Sequence, residues 1–432
     1  MSEQAGLALA GRRAVWANRS FRRFWYGESV SQIGDRVSEL AIPLIAILAL
    51  DASASEVGAL TAAVWLPNLF SIVVGSWVEH WPSKRRLMVA ADLVRAVVLL
   101  TIPVAYVAGA LNLAQLFVVA IVAGAGQVVF DTAYPPFFVA MVPKRDFLDA
   151  NSLLSMSRSA SFIAGPALGG GLVQLLTAPV AVLVDAVSFL WSAWMIRGLR
   201  VAERPVEGLG SEPWHRRVGM GLRFVVTHPY LRAGLGCVST VNFFTFMANA
   251  LLILFASREL GLSAGVIGLA FGVGSVGGLL GAWAAPRLSV RFGVGPMIVV
   301  GSIVFPAPIA LVAVAAGPAW LAAATLGAAE FISGFGVMLL DINLNAVQAS
   351  VTPDAVRSRI AGAFRTINYG TRPLGALIGG LLGSYLGLRP TLLLSTLGAV
   401  LGFLWLLPSP IPRIRSLDEL DDGLPGRGGQ SR

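Results

Sequence analysis

The chain has 432 residues, of which 56% are apolar and only 13% charged, with 48 glycines and a formal net charge of +9. An ordinary soluble domain carries about 25% charged residues, so this composition excludes a soluble globular protein and indicates one that crosses a membrane several times. Its long uncharged runs lack the two-residue alternation of a transmembrane barrel, which leaves helices as the spanning element.

Each membrane-spanning helix needs about 20 mostly apolar residues. Twelve such spans are predicted, centred near residues 36, 66, 98, 123, 164, 188, 244, 273, 305, 330, 373 and 399. Of the 32 basic residues, 26 fall in the N-terminus, the even-numbered loops and the C-terminus, two in the odd-numbered loops and four within spans. This positive-inside pattern predicts that both termini are cytoplasmic, and it explains the net charge without a nucleic-acid partner.

The spans fall into two groups. The predicted organisation is a cytoplasmic N-terminal arm (1–20), a six-helix bundle (21–199), a cytoplasmic linker (200–230), a second six-helix bundle (231–408) and a disordered cytoplasmic tail (409–432). No cleavable signal precedes the arginine-rich start of the first span, so we expect that span to remain in the mature protein. Within the linker, apolar residues recur near helical spacing from Trp214 to Val225, which predicts an amphipathic helix on the membrane surface; an irregular charged loop is the alternative.

The two halves are related in sequence. GAGQVVFD at Gly124–Asp131 returns 210 residues later as GFGVMLLD at Gly334–Asp341, and the same shift relates Gly165, Gly169 and Gly170 to glycines in the second half. A second correspondence, shifted by 206 residues, links the segments that begin at Gly75 and Gly281. Two similarly oriented six-helix bundles related by pseudo-symmetry are therefore predicted.

Polar residues near the middle of the predicted spans are candidates for substrate or proton binding, because ionisable groups at membrane depth are costly and buried carboxyl groups bind protons more readily. Asp35 and Glu330 are the leading candidates. They are accompanied by Gln32, Glu39, Arg372, Asn242, Asn249 and Phe243. The alternative is an internal ion pair that serves packing, joining Asp35 to Arg36 or Arg372, or Glu330 to Arg372.

Other buried charges receive different interpretations. Asp92, Arg95 and Asp185 are expected to be structural. Asp131 and its repeat mate Asp341 are placed near the cytoplasmic ends of their spans, where they are predicted to belong to a cytoplasmic latch. The expected partners are Lys84, Arg85 and Arg86 for Asp131, and Arg287, Arg291 or Arg359 for Asp341.

Twelve spans, a central linker and a basic loop that begins with Gly75 resemble the major facilitator superfamily, whose loop between spans two and three latches the cytoplasmic side. Glu79 occupies the place of the acid in that loop, and Lys84, Arg85 and Arg86 follow as its basic cluster. His80 replaces the usual arginine, and the repeat copy has Ala285 in place of the acid.

Within the superfamily the chain is similar to bacterial drug and siderophore exporters, such as the enterobactin exporter, the macrolide efflux pumps and the Tap-type multidrug pumps. The resemblance rests on SQIGDRVSELAIPL, AADLVRA, VPKRDFLDANSL and AGPALGG. In the last segment Gly165, Pro166, Gly169 and Gly170 match the fifth-helix signature of antiporters, although Ser161 stands where a further glycine is expected. The resemblance implies export. The arginine that many drug antiporters carry in the fourth span is absent, which weakens any transfer of their proton relay.

Several function classes are excluded. The chain has two lysines, neither preceded by a phosphate-binding loop, so ATP hydrolysis by that route is excluded. The three histidines and the single cysteine lack metal-ligand spacing, and no cluster of catalytic residue types is visible, so neither a metal site nor an enzyme is predicted.

We therefore expect a monomeric, multi-pass protein of the bacterial inner membrane that contacts membrane lipid and uses no cofactor. Its predicted function is proton-coupled, alternating-access export of a drug-like compound or secreted small metabolite. The alternatives are an uptake or lipid/siderophore transporter of the same fold, or a non-transporting membrane sensor or scaffold.

Overall fold

The structure, a computed structural model, describes residues 15–201, 203, 214–352 and 357–421. In these ranges the regular elements are helices, without any strand. The principal helices, in chain order, are α1 (Arg19–Leu44), α2 (Ala54–Trp65), α3 (Ser71–His80), α4 (Lys84–Val107), α5 (Leu113–Met141), α6 (Phe147–Leu176), α7 (Ala178–Arg197), α8 (Trp214–Thr227), α9 (Pro229–Arg258), α10 (Ala264–Phe292), α11 (Val294–Val304), α12 (Ile309–Ala313), α13 (Ala319–Val351), α14 (Arg357–Tyr385), α15 (Leu388–Val400) and α16 (Asp418–Asp421).

Nine segments of the described residues are long and apolar enough to cross a membrane, or ten if α2 and α3, bent by 55°, form one broken span. Helices α1 and α14, with 26 and 29 residues, have the length of a span but a more polar sequence. The predicted all-helical membrane architecture is confirmed, whereas the count of twelve spans and the sidedness of the termini stay predictions.

The chain forms two compact units. The first comprises residues up to Ala52, Leu66–Gly210 and Ala264–Gly268, and the second comprises Ser53–Trp65, Ser211–Ser263 and the remainder from Leu269. Each unit thus includes a short segment that belongs, by sequence, to the other predicted bundle.

In the first unit, α1 packs against α6 and α7, while α4 packs against α5 and α7. Large side chains such as Phe21, Phe24 and Phe137 are fully buried and form its apolar core at one end. The packing brings α1, α4 and α7 together, and their polar residues meet along these contacts.

In the second unit, α9 packs against α14 and α15, α2 packs against α14, and α11 packs against α13. Helix α14 approaches α9 closely because it carries glycines there: a Cβ at Gly379 would lie 2.8 Å from Cα of Met247. Small residues permit such close backbone contact between membrane helices.

The repeat predicted from sequence has a counterpart in the helix ends. Helix α5 ends at Met141 and α13 ends at Val351, 210 residues apart. Asp131 and Asp341 each lie ten residues before those ends, about 15 Å along the helix axis at 1.5 Å per residue. The two aspartates therefore occupy equivalent positions in their helices, and whether these positions lie at the cytoplasmic ends of the spans stays a prediction.

The linker and the tail give one agreement and one correction. The predicted linker helix is present as α8, with Val225 buried. The tail predicted as disordered is ordered up to residue 421: Ile411 and Ile414 are buried, and the Ile414 carbonyl accepts the N–H of Gly295 at 2.9 Å. Burial of these two isoleucines in the apolar cluster at the start of α11 explains the difference, and residues 422–432 lie outside the described part.

Candidate functional site

One face of α1 carries four polar side chains in successive turns. Glu28, Gln32, Asp35 and Glu39 lie four, three and four residues apart, a spacing that places them on one side of the helix. The Gln32 amide donates to the Glu28 carboxylate at 2.8 Å. Glu28 is missing from the sequence-based prediction, although its position two turns before Asp35 was a signal for it.

Asp35 forms an ion pair with Arg95 of α4. The Arg95 side chain is 7% exposed and that of Asp35 is 25% exposed, so the pair is accessible only from the aspartate side. The guanidinium also lies over the ring of Phe189 on α7, 3.7 Å from its centroid. The stability of a buried cation in this position depends on its carboxylate partner, because a buried charge without a partner is strongly destabilising.

Neither predicted partner of Asp35 is the observed one. Arg36 bonds Glu39 at 2.5 Å and lies over the ring of Phe162. Arg372 belongs to the second unit and lines a cavity there. Consecutive residues of a helix point in different directions, which is why Arg36 pairs one turn along its own helix and not with Asp35.

Two further carboxyl groups, on Asp92 of α4 and Asp185 of α7, are buried beside the Asp35–Arg95 pair. Asp92 is fully buried and Asp185 is 1% exposed. Gly34 permits the close approach of α7: a Cβ there would lie 2.5 Å from Oδ1 of Asp185. The sequence-based interpretation treated both aspartates as structural, whereas the structure places them in one cluster with Asp35 and Arg95.

Hydrogen bonding differs between the two buried acids. The Ser188 hydroxyl donates to Asp185 at 3.1 Å. Neither oxygen of Asp92 has a hydrogen bond of good geometry within the described residues, although the Ser192 hydroxyl lies beside the carboxyl group. A charged carboxylate left so poorly solvated would be costly.

Asp131 is placed differently from the predicted latch. Its carboxylate accepts a hydrogen bond from Gln127 at 2.9 Å. The ammonium of Lys84 donates to three backbone carbonyls, those of Val78, Glu79 and Trp81, at 2.9, 3.0 and 2.7 Å. Because an ammonium has three donors, Lys84 has none left for Asp131.

The loop before α4 is instead stabilised by hydrogen bonds to Glu203. Its carboxylate accepts hydrogen bonds from the Ser83 hydroxyl at 2.9 Å and from the backbone N–H groups of Lys84 and Arg85. The Arg85 guanidinium donates to the carbonyl of Leu199. Of the other predicted latch residues, Glu79 and Arg86 are exposed, and Gly75 packs loosely, since a Cβ there would lie 3.8 Å from its nearest neighbour, Cγ2 of Thr132.

In the second half, too, the observed partners of the basic residues differ from the predicted ones. Arg287 donates to the carbonyl of Trp283 at 2.6 Å and lies over its ring, while Arg291 lies over the ring of Phe292. The side chain of Arg359, the third predicted partner of Asp341, lies outside the described part of the chain. Asp341 itself lines the cavity that contains Arg372, and neither Arg287 nor Arg291 is paired with it.

The second unit contains this cavity, about 620 Å³ in volume, between α9, α13 and α14. Its lining combines apolar side chains with a set of amides. Asn242, Asn249, Asn345, Gln348 and Asn368 supply those amides, and Asp341 and Arg372 supply the charges. The amide of Asn242 donates to the Asn368 side chain at 2.8 Å, joining α9 to α14 across the wall. Asn345, Gln348 and Asn368 are absent from the sequence-based prediction.

Arg372 is surrounded by aromatic rings. Its guanidinium carbon lies 4.4, 4.8 and 4.1 Å from the ring centroids of Trp65, Phe246 and Tyr369. Arg372 also acts electrostatically on the Asp341 carboxylate. The cavity lining therefore contains one guanidinium set among aromatic rings and one carboxylate, and its other side chains are uncharged.

Two predicted site residues of the second half lie outside the cavity lining. Glu330 packs its Cβ against Gly274 of α10 and is not paired with Arg372, which lies in the cavity. Phe243 makes an edge contact with Phe244, 5.0 Å between centroids. The lining on α13 begins at Val337, seven residues after Glu330, which explains the separation of Glu330 from the amides.

The antiporter-type glycines of α6 form a packing surface. A Cβ on Gly165 would overlap the Arg36 side chain, and one on Gly169 would lie 3.1 Å from Cα of Val37. A Cβ on Gly170 would lie 3.0 Å from Cα of Gly268. Gly165 and Gly169 therefore set the distance between α6 and the segment of α1 that carries Asp35. Gly170 and the carbonyl of Pro166 instead pack against Gly268 of α10.

Among the described residues, no group of three or more histidine, cysteine or acidic side chains is arranged to hold a metal ion. The apolar helices, the polar cavity and the buried charges together define a membrane transporter of the major facilitator type. Residues 10–423 match the model of the transmembrane secretion effectors, and the chain belongs to this family of the major facilitator superfamily. It is a multi-pass membrane transporter and not an enzyme.

Two relatives cover most of the chain. It is 26% identical over 407 residues to the multidrug efflux pump Tap of Mycolicibacterium fortuitum, covering 89% of this chain and 94% of the pump. It is 26% identical over 403 residues to the pump of the same name from Mycobacterium tuberculosis, covering 89% and 91%.

Solved structures agree in fold. A bacterial homologue of the iron transporter ferroportin, in its inward-facing state, superposes with a TM-score of 0.70 at 17% identity, covering 90% of this chain and 98% of that chain. A bacterial homologue of the human lysosomal transporter Spinster, inward-facing and occupied, gives 0.71 at 13% identity, covering 90% and 95%.

Proposed function

We propose that the protein is a proton-coupled secondary exporter in the bacterial inner membrane that moves a drug-like compound or a secreted small metabolite outward by alternating access. The observation that carries this proposal is the 620 Å³ cavity with its amide lining and its Arg372–Asp341 charges. Cavities of about 300–1,000 Å³ with apolar walls and a few fixed polar groups suit drug-sized ligands.

The chemistry of the lining limits the substrate class. Amides both donate and accept hydrogen bonds, so they recognise varied polar groups, while Val241, Phe305 and Leu344 provide apolar surface. The Asp341 carboxylate can meet a positive charge on a substrate. An amphipathic solute with at least one polar or charged group satisfies these surfaces best.

Two further findings support export and proton coupling. The relatives that cover about nine-tenths of the chain are efflux pumps. The first unit, in addition, holds five carboxyl groups on or near one face of α1, those of Glu28, Asp35, Glu39, Asp92 and Asp185, of which Asp35 and Glu39 are accessible. Accessible carboxyl groups at membrane depth are suited to exchanging a proton.

Cells that express the protein provide the test. We expect reduced accumulation of at least one member of a panel of antibiotics, cationic dyes and siderophores, and restored accumulation after addition of a proton uncoupler. Asn242→Leu should reduce this effect, because it removes a cavity amide. Asn151→Leu is the matched control, since Asn151 is exposed and, like Asn242, donates to the carbonyl four residues earlier.

The outcomes separate the functions. Increased accumulation would identify uptake, and export insensitive to the uncoupler would contradict proton coupling. Absence of transport for the whole panel, with the protein present in the membrane, would overturn the proposal in favour of a sensor, a scaffold or a lipid transporter.

A further inference from the structure

Three carboxyl groups and one guanidinium meet where α1, α4 and α7 pack together. Arg95 is paired with Asp35, while Asp92 and Asp185 lie behind the pair and are essentially inaccessible. Asp35 and Arg95 both act electrostatically on Asp185, and the same two groups with Glu28 act on Asp92. The cluster therefore holds more acids than bases.

The charges around this cluster come from every neighbouring helix. Helix α1 contributes Glu28, and Arg36 is held by Glu39 one turn away. Helix α5 contributes Asp131 and α6 contributes Arg158, both of which act on Glu28. Arg158 is exposed, so the buried cation nearest to Asp92 and Asp185 is Arg95.

One buried cation can compensate one carboxylate, and each further charge buried without a partner is strongly destabilising. We propose that Asp92 and Asp185 are a proton-storage site, each carrying a proton while Arg95 is paired with Asp35. In this state the three acids and Arg95 have no net charge. The hydroxyl of a protonated Asp185 remains next to Ser188, which can exchange donor and acceptor roles with it.

The arrangement also gives a route for the stored proton, and this part rests on the proposed function. The proton leaves the O–H of Asp185 and binds the Asp35 carboxylate, while the Arg95 guanidinium turns from Asp35 to the new carboxylate of Asp185. The number of charges is unchanged in that step. When Asp35 then releases the proton to water, the cluster becomes more negative by one charge, which a cationic substrate or a returning proton offsets.

Infrared difference spectroscopy of the purified protein at neutral pH tests the storage site, because protonated and ionised carboxyl groups absorb at different positions. Wild type minus Asp92→Asn and wild type minus Asp185→Asn should each show the loss of one carboxylic-acid band. The control Glu39→Gln should show the loss of one carboxylate band, since Glu39 is exposed and paired with Arg36.

Asp35→Asn gives a result that a purely structural role would not produce. Without Asp35, Arg95 recruits Asp92 or Asp185, which then ionises, so the spectrum should lose a carboxylic-acid band although Asp35 itself was ionised. Loss of a carboxylate band from Asp92→Asn and Asp185→Asn would overturn the proposal. If a variant fails to fold, the wild-type protein labelled with ¹³C-aspartate is compared at neutral and alkaline pH. The isotope-shifted carboxylic-acid bands should be present at neutral pH and be lost at alkaline pH. Absence of these bands at neutral pH would also overturn the proposal.

Transport assays distinguish a failure of the proton-storage proposal from a failure of the proposed export function. In proteoliposomes, Asp185→Asn should lose most gradient-driven efflux but keep substrate exchange across the membrane without a gradient. Equal loss of exchange and efflux would contradict the proton route. Lack of transport by the wild type would count against the proposed function and leave the infrared result to decide the storage site.

Discussion

Gly58 of α2 and Gly380 of α14 are in direct backbone contact: a Cβ on Gly58 would lie 2.5 Å from Cα of Gly380. The same relationship recurs between Gly268 and Gly170, where a Cβ on Gly268 would lie 2.9 Å from Cα of Gly170. Gly58 and Gly268 are 210 residues apart, as are Gly170 and Gly380. The sequence repeat thus corresponds to a repeated helix contact, with one member of each pair taken from the exchanged segments.

Substitution at these contacts should destabilise the protein. Gly58→Ala and Gly170→Ala each place a methyl group against backbone, which cannot move aside as a flexible side chain can, and overpacking of this kind costs about 1–3 kcal/mol. Thermal unfolding in detergent should show a lower Tm for both variants.

Gly171→Ala is the matched control for Gly170→Ala. A Cβ at Gly171 meets no atom within 4 Å, and alanine favours the helix by about 1 kcal/mol. Its Tm should equal or exceed that of the wild type. A Gly170→Ala protein as stable as Gly171→Ala would contradict the packing role.

Trp65 should stabilise the position of Arg372 in the cavity. Trp65→Ala removes one of three rings around the guanidinium, a contact of about 2 kcal/mol when desolvated. We expect a lower Tm and weaker binding of any exported substrate, with Trp65→Phe retaining most of both. Trp320→Ala is the control, because Trp320 is 71% exposed; an equal effect of the two alanine variants would argue against the aromatic cage.

Glu203 should hold the first turn of α4. Its carboxylate accepts from Ser83 and from two backbone N–H groups at the start of that helix, so Glu203→Ala removes a cap worth about 0.5–2 kcal/mol. Hydrogen exchange followed by mass spectrometry should show faster exchange of the amides of Lys84 and Arg85. Glu203→Gln, which keeps an accepting oxygen, should change them less, and unchanged exchange in the alanine variant would refute the cap.

His228 should make stability depend on pH. Burial lowers the pKa of His228 from its ordinary value of 6.5, and its Nδ1 is buried without a partner among the described residues. The folded protein therefore binds this proton less readily than the unfolded chain does. Stability from His228 is present above pH 6.5 and is lost as the pH falls through the lowered pKa.

The measurement is Tm as a function of pH between about pH 7 and about pH 5. His228→Phe should give a flatter profile, because the ring that stacks on Phe224 is kept while the titrating group is removed. His80→Phe should leave the slope unchanged, since His80 is exposed. Parallel profiles for His228→Phe and wild type would contradict the assignment.

Much of the architecture followed from the sequence. Apolar run lengths predicted the helices, the recurrence of GAGQVVFD as GFGVMLLD predicted a repeat whose helices α5 and α13 end 210 residues apart, and the motifs indicated the family. These features are local in the chain, or compare it with itself, so they need no knowledge of which helices touch.

The partners of the charged side chains could not be predicted from the sequence. Asp35 meets Arg95, 60 residues away, and Lys84 bonds backbone carbonyls, because helix rotation and packing decide which side chains face each other. Span topology placed Asp131 and Asp341 near the cytoplasmic ends of their spans, but only the structure shows that both helices continue for ten residues beyond these aspartates.

The sequence by itself determined that this chain is a helical membrane protein with duplicated halves, because the hydrocarbon core imposes length and polarity on every span. Only the tertiary structure decided that the segments 53–65 and 264–268 exchange between units, that Arg372 lies among three aromatic rings, and that Asp92 and Asp185 lie behind the Asp35–Arg95 pair. The physical reason is that buried charges are stabilised by specific partners at short range, and helix packing sets those distances.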